Sequence, residues 1–434
     1  MSITDQESLR EQPHSSPSPA DPKRLMSPVR AAERIEVVDV LRGLAIFGMF
    51  VVNMSHDLPW AYMFVDNSPG APVLPEVLVL ETLGKGKFFA LFAFFFGFGF
   101  AIQGDRAMER GVGFTLVALR RMLVLLAIGI VFSLFVPWGI LIGYALMGFV
   151  LIMIPRSLSP RVLLFWATAC FVLYQAFIAV GYSTSVPAQD SAVERLAIQE
   201  RRQVVSMRRE RAVQTYLTGT FGEIVELRAG TLQTRFSSWR RYVGLLGGHL
   251  PLMLLGMYTW RRKVFQDIAG NIEFFRRVFW WGLGVGVVGM TIHRWFSHIL
   301  VDPPWPRVLD FIGEGFWEIG APAMGFSYAA AIVLLMQRDT WVRRFKFLAA
   351  VGRLSFSNYI FCGFIFTFVF YGYGFGFYAD LGPLAGALLA ILIFPIHIIW
   401  SAWWLRYFRF GPIEWLWRTL TYGKLQPMRT ATKS

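Results

Sequence analysis

Three side chains share one face of the first apolar stretch: Arg42, Asn53 and His56. At about 100° per residue, eleven residues return to within about 20° of the start, so Arg42 and Asn53 fall on one helical stripe and His56 within about 40° of it. At ~1.5 Å per residue, Asn53 lies roughly 17 Å and His56 roughly 21 Å along the helix from Arg42. A guanidinium holds phosphate or carbonyl oxygens, an amide steadies an oxyanion and an imidazole takes a proton. Asp39, one turn earlier, can hold the guanidinium and leave donors free. A plainer reading is also open. In it Arg42 snorkels to lipid headgroups with Asp39 as its partner, and His56 is wetted beside Asp57 and Pro59.

Other residues could carry chemistry. Arg353 and Asn358 lie in the run GRLSFSNY, and Arg353 with Arg120 and Arg121 can form a basic mouth for phosphates. Membrane topology alone also puts arginines there, so spacing does not separate the two readings. Asp310, Glu314 and Glu318 recur every four residues, an acidic stripe that binds a cationic or sugar acceptor or is a solvated helix end paired with Arg294 or Arg307. His249, His293, His298 and His397 are scattered without ligand spacing, and Cys170 and Cys362 sit inside apolar stretches, so no metal site and no disulfide are expected.

The elements that must position these residues are membrane helices. With 55% hydrophobic residues, 41 Phe, 16 Trp and a mean hydropathy of +0.48, the chain carries more apolar surface than a water-soluble fold of 434 residues can hide. The expected fold is all-α and polytopic, with about ten spans near 38–58, 86–104, 116–136, 138–154, 161–182, 242–261, 278–299, 316–336, 354–373 and 382–405. Pro137, Trp138 and Gly139 separate the third and fourth, which read as a tight hairpin or one broken helix.

The net charge of +14 does not point to nucleic acid, because the basic residues fall in short clusters between apolar runs. Ten crossings put all six clusters on one side, which makes that side and both termini cytoplasmic. Residues 1–33 read as a disordered tail with Pro13, Pro17, Pro19, Pro22 and Pro28. Five parts result: this tail, helices 1 to 5 over 34–182, an extracytoplasmic amphipathic segment over 183–241, helices 6 to 10 over 242–405, and 406–434. The segment 183–241 holds ten Arg against six acids and breaks the charge rule, which long segments can do. Within it 192–217 reads as helix. After Gly411-Pro412, Ile413, Leu416, Trp417 and Leu420 mark a short interfacial helix with Glu414 and Arg418 paired on another face.

The chain resembles the YeiB-like family of bacterial multi-pass membrane proteins across nearly all of 34–423. The runs VVDVLRGLAIFGMFVVN, GKFFALFAFFFGFGFAIQ and GRLSFSNYIF carry the resemblance, as do YLTGTFGEIVELR over 216–228 and, most specifically, WLRYFRFGPIEWLWRTLTYG. The family is similar, more distantly, to membrane acyltransferases that move an acyl group from a cytoplasmic donor such as acetyl-CoA to an outward-facing sugar or polymer. There the first helix carries an Arg and, eleven residues on, a His. Here Arg42 matches the Arg and Asn53 stands at the His position, and an amide takes no proton at neutral pH. His56, about 4.5 Å further along the helix, is the nearest imidazole.

Three functions stay open. The first is an acyltransferase of the bacterial inner membrane with acyl-CoA as co-substrate, a small-molecule or glycan acceptor and no metal. In it Arg42, Arg120, Arg121 and Arg353 hold the donor, His56 is the base and Asn53 the oxyanion donor. The second is a small-solute carrier with the same stripe along its path. The third is a non-catalytic accessory protein.

Overall fold

The computed structural model describes residues 35–56, 75–109, 113–155, 157–184, 192–237, 239–296, 308–378 and 380–430. The tail over 1–33 and the side chains of His56 and Asp310 lie outside the described residues. Among those described, regular structure is helical except for one bridge between Phe408 and Arg429. The helices are α1 (Glu36–His56), α2 (Pro75–Leu83), α3 (Lys87–Glu109), α4 (Phe114–Ser133), α5 (Leu141–Met153) and α6 (Pro160–Thr184). Then follow α7 (Ala192–Thr218), α8 (Phe221–Ser237), α9 (Trp239–Gly244), a π-helical turn (Leu245–His249), α10 (Leu250–Arg261) and α11 (Ile272–Arg294). The last are α12 (Val308–Leu335), α13 (Asp339–Arg353), α14 (Ser355–Phe370), α15 (Pro383–Tyr407) and α16 (Pro412–Tyr422).

Among the described residues six helices are long and apolar enough to cross a membrane, and a seventh span results if the bent pair α13–α14 is counted as one. The protein is therefore a multi-pass membrane protein. Four of the ten expected stretches are not among the six. The fourth is the 13-residue α5, the sixth a π-turn followed by the 12-residue α10, the seventh lies on the charged-ended α11, and the ninth follows an 80° bend at Leu354.

Helix α3 forms the centre. It is apolar around its circumference, with Leu91 and Phe98 fully buried, as a helix enclosed by other helices must be. It runs antiparallel to α1, with Phe88 on Gly48 and the Arg42 guanidinium beside Gly99. Helix α6 lies at the rim. Phe165, Leu173 and Val180 are each more than half exposed, which is stable only where the surroundings are lipid. Helices α4 and α5 form a hairpin, Gly129 meeting Leu141 and Gly148 meeting Met122, so Pro137-Trp138-Gly139 is a turn between two helices. Gly282, Gly286 and Gly289 let α11 lie against Ala323, Met324 and Gly320 of α12.

Two local expectations need correction. Residues 339–353, left between the eighth and ninth expected spans without an element, form α13, because Trp341, Val342, Phe345, Leu348 and Ala349 repeat at helical spacing opposite Arg343, Arg344 and Lys346. In α16, Glu414 turns away from Arg418 and caps α14 instead. Ile413 and Trp417 pack inward, whereas Leu416 and Leu420 face outward. The segment over 183–241 does contain the expected helix, as α7, followed by α8.

Candidate functional site

Arg42, Arg121, Arg353 and Arg418 converge on one cleft from four helices: α1, α4, the end of α13 and α16. The approach of α1 to α13 is backbone against backbone. A Cβ on Gly43 would meet the Leu348 carbonyl and one on Gly352 the Asp39 carbonyl, so only glycine at both positions allows it. That contact sets the neighbours Arg42 and Arg353 beside each other at the mouth. Asp39 holds Arg42 at 3.9 Å across one turn. A second groove, walled by Asp39, Arg106 and Trp260, opens beside the first and shares Arg42, Arg353 and Arg418.

The cleft has a volume of about 190 Å³, and its inner walls are Phe92, Phe95, Phe96, Phe100, Leu125 and Tyr144. Tyr144 closes the inner end, its hydroxyl donating to the Phe89 carbonyl at 3.2 Å. Gly99, beside Arg42, and Phe89 are ten residues apart on α3, so the cleft runs roughly 15 Å into the bundle. Cations surround its mouth and hydrocarbon its depth.

Helix α16 is seated so that it completes the mouth. The Trp417 indole donates to the Arg121 carbonyl at 2.9 Å, and the Arg121 guanidinium lies 3.7 Å from the centre of the same ring. Arg418 stacks over Phe410 at 4.5 Å. Glu414 accepts from the backbone N–H groups of Phe356 and Ser357, at 2.8 and 3.1 Å, and from the Ser357 hydroxyl. Its carboxylate therefore satisfies the free N–H groups at the start of α14. Burial pushes the Glu414 carboxyl above its ordinary range, against the pull of these hydrogen bonds.

The other expected site residues are elsewhere. Arg120 is exposed and not a wall of the cleft. Asn358 is fully buried on the far side of the α14 start, its Nδ2 donating to the Val351 carbonyl and the Ser401 hydroxyl and its Oδ1 accepting from His397 Nδ1 at 2.9 Å. With Cys362 Sγ 3.8 Å from the other ring nitrogen, this group ties α14 to α15. Asn53 is 2% exposed, so it faces protein and not lipid, but it is not among the walls of either groove that holds Arg42. His56 is the last residue of α1. Arg418, Trp417, Glu414 and Tyr144 escaped sequence reasoning as site residues, although the first three lie in the run singled out as most specific. Among the described residues no group of three His, Cys, Asp or Glu could hold a metal.

The whole chain has relatives. It is 30% identical to "Uncharacterized protein YxaH" of Bacillus subtilis (strain 168) over 426 residues, covering 94% of this chain and 99% of the relative. The chain belongs to the YeiB-like family. "Uncharacterized protein YeiB" of Escherichia coli (strain K12) is 26% identical over 409 residues, 92% of this chain and 99% of that protein. A Bacillus acidopullulyticus relative, "Uncharacterized 39.9 kDa protein in amylase 3'region", is 26% identical over 407 residues, 93% of this chain and 98% of its own length. The family model described as "Protein of unknown function (DUF418)" matches residues 259–424, the part that supplies α13, α14 and α16 to the cleft.

Proposed function

We propose that this YeiB-like protein binds an acyl-CoA in the arginine-mouthed cleft and passes its acyl group toward an acceptor on the other side of the membrane. The cleft's layout supports this: four guanidiniums at the mouth and an aromatic channel leading to Tyr144 suit a ligand with a phosphorylated head and a narrow arm. A cavity of about 190 Å³ admits the thioester end of the pantetheine arm with a short acyl group, while the rest of the arm and the nucleotide stay at the mouth among Arg42, Arg353 and Arg418. Asn53, eleven residues beyond Arg42, stands at about the depth of Tyr144 and serves as a positioning residue for α1, with His56 beyond it.

In this reading ten crossings place the arginine end and both termini in the cytoplasm of a bacterial inner membrane. The clustering of Lys and Arg at that end supports the orientation, and the bacterial relatives support the host membrane. The acceptor is a small molecule or glycan. Titration of acetyl-CoA into the protein in nanodiscs tests the donor half: sub-millimolar binding that Arg42→Ala removes is expected, and no binding to the wild type rejects it.

One observation favours a carrier as the second reading. A separate cavity lies on the other side of the first turn of α5, so α5 stands between two chambers. Saturable flux of an anionic solute into proteoliposomes, without acyl transfer, would select it.

A further inference from the structure

A larger cavity, about 350 Å³ in volume, lies among α3, α6, α10, α11 and α12, with Phe94, Leu164, Tyr258, Phe275, Val278 and Ala329 among its walls. It is almost wholly apolar. Among the described residues only Tyr258 and Thr259 bring polar side chains to it, and the Thr259 hydroxyl already donates to the Gly256 carbonyl at 2.9 Å. Its floor, Leu91 and Val333, is fully buried, whereas Leu164 and Phe274 are 42 and 40% exposed. The cavity therefore opens sideways between α6 and α11, and α6 is the helix at the lipid rim. What faces this mouth is the bilayer.

The gap follows from the local sequence. Gly282, Gly286 and Gly289 bring α11 tightly against α12, but beyond Gly282 the walls are Phe275 and Val278 with Ala329 and Ala330. After Arg262 the backbone turns at Lys263, whose φ of 55° is left-handed, and Phe265 folds back as a further wall, its ring 5.4 Å from that of Phe275. Leu164, Thr259 and Phe274 each stand within about one turn of a helix end, and each has an arginine three residues away. These are Arg161, Arg262 and Arg277, all exposed and each on the side of its helix that carries the wall residue. Arg277 also pairs with Glu273 at 3.4 Å, an exposed pair worth little. Hydrocarbon fills the depth, and three guanidiniums stand at the interface end.

We infer that this cavity seats one acyl chain of an anionic phospholipid, whose phosphate is held at the membrane interface by Arg161, Arg262 and Arg277. A methylene takes about the volume of a water, ~30 Å³, so the cavity holds roughly a dozen chain carbons. The chain gains little by leaving its neighbours, because lipid tails are as apolar as the walls. Selection therefore comes from the headgroup, where each arginine near the surface favours an anionic lipid about fivefold. A free phosphate lacks the chain, and a neutral lipid lacks the charge. The inference is independent of the acyl-donor reading, since none of the three arginines is a wall of the arginine cleft.

Native mass spectrometry of the delipidated full-length protein, titrated with dioleoyl phosphatidylglycerol or dioleoyl phosphatidylcholine, tests the site. One phosphatidylglycerol per chain is expected to bind at least about tenfold more tightly than phosphatidylcholine. Arg262→Ala should weaken phosphatidylglycerol about fivefold and leave phosphatidylcholine unchanged. Arg343→Ala, on the exposed basic face of α13, should change neither. Val278→Trp, which puts an indole into a half-buried wall, should weaken both lipids by at least about tenfold. Equal affinity for the two lipids overturns the inference, as does an equal loss in Arg262→Ala and Arg343→Ala, or undiminished binding by Val278→Trp. Should Val278→Trp fail to fold, the two arginine variants decide by themselves.

Discussion

Arg121 and Trp417 hold each other twice: the indole N–H donates to the arginine's carbonyl, and the arginine's guanidinium lies on the face of the same indole. One aromatic residue thereby fixes both the backbone and the charge of its partner, and with them the seat of α16 on α4. Trp417→Phe keeps the ring and loses the hydrogen bond, whereas Trp417→Ala loses both. Thermal unfolding in detergent should fall by about 1 kcal/mol in the first and by more in the second. Acetyl-CoA affinity should drop in the same order.

Adjacent arginines should behave unequally. Arg121 lines the cleft and Arg120 is exposed outside it. Calorimetric titration with acetyl-CoA should show Arg121→Ala binding at least about tenfold more weakly, while Arg120→Ala stays within about twofold. Equal losses would place the ligand elsewhere on the basic surface.

The close approach of α1 and α13 leaves no room for a methyl group at position 352, where it would collide with the Asp39 carbonyl. The obstacle is backbone, which cannot step aside as a side chain can. Gly352→Ala should cost at least about 1–3 kcal/mol, read as lowered yield and melting temperature. Gly222→Ala, where a Cβ meets nothing within 4 Å, is the control and should be neutral.

Glu414 and Glu223 should respond to pH with opposite signs. Burial raises the Glu414 carboxyl above the ordinary 4.5, so the folded state holds that proton more tightly than the unfolded one. Its favourable contribution is present at acid pH and is lost as pH rises through the raised value. Relative to Glu414→Gln, wild-type stability should therefore decline as pH rises above 4.5. Melting curves of the pair across that range check this.

Glu223 caps α8 from the other direction, accepting from the Thr220 N–H at 2.7 Å and from the Thr220 hydroxyl at 2.9 Å, while the Glu223 N–H donates back to that hydroxyl. These bonds hold its carboxyl below the ordinary value of 4.5. The cap is complete above that value and is lost as pH falls through the lowered one. Hydrogen exchange in the first turn of α8 should speed up on acidification, and Glu223→Gln should remove that pH dependence.

Much of the bundle was legible because membrane solvent imposes long apolar runs, and α1, α3, α4, α6, α12 and α15 stand where those runs lie. The arginine mouth was legible in part. Arg42, Arg121 and Arg353 follow the interface, and the interface can be found from charge. What failed was direction. The 80° bend at Leu354 turns Arg353 to the cleft and Asn358 to α15 within five residues, and no periodicity computed on a straight helix could separate them. Glu414 misled for a related reason. An i, i+4 pairing with Arg418 is the local optimum, but the uncapped start of α14 is a stronger partner, and it comes from 57 residues away in the chain.

The seat of Glu414 has one more consequence. The start of a helix is the usual backbone cradle for phosphate, but at α14 a carboxylate of the chain itself already lies in it. Any anion entering the mouth must therefore be gripped by side chains, chiefly the guanidiniums, and the pull of the exposed one, Arg353, extends only about 8 Å at physiological salt. Occupancy of that mouth should track ionic strength steeply, and a cell's salt balance would set how full it is.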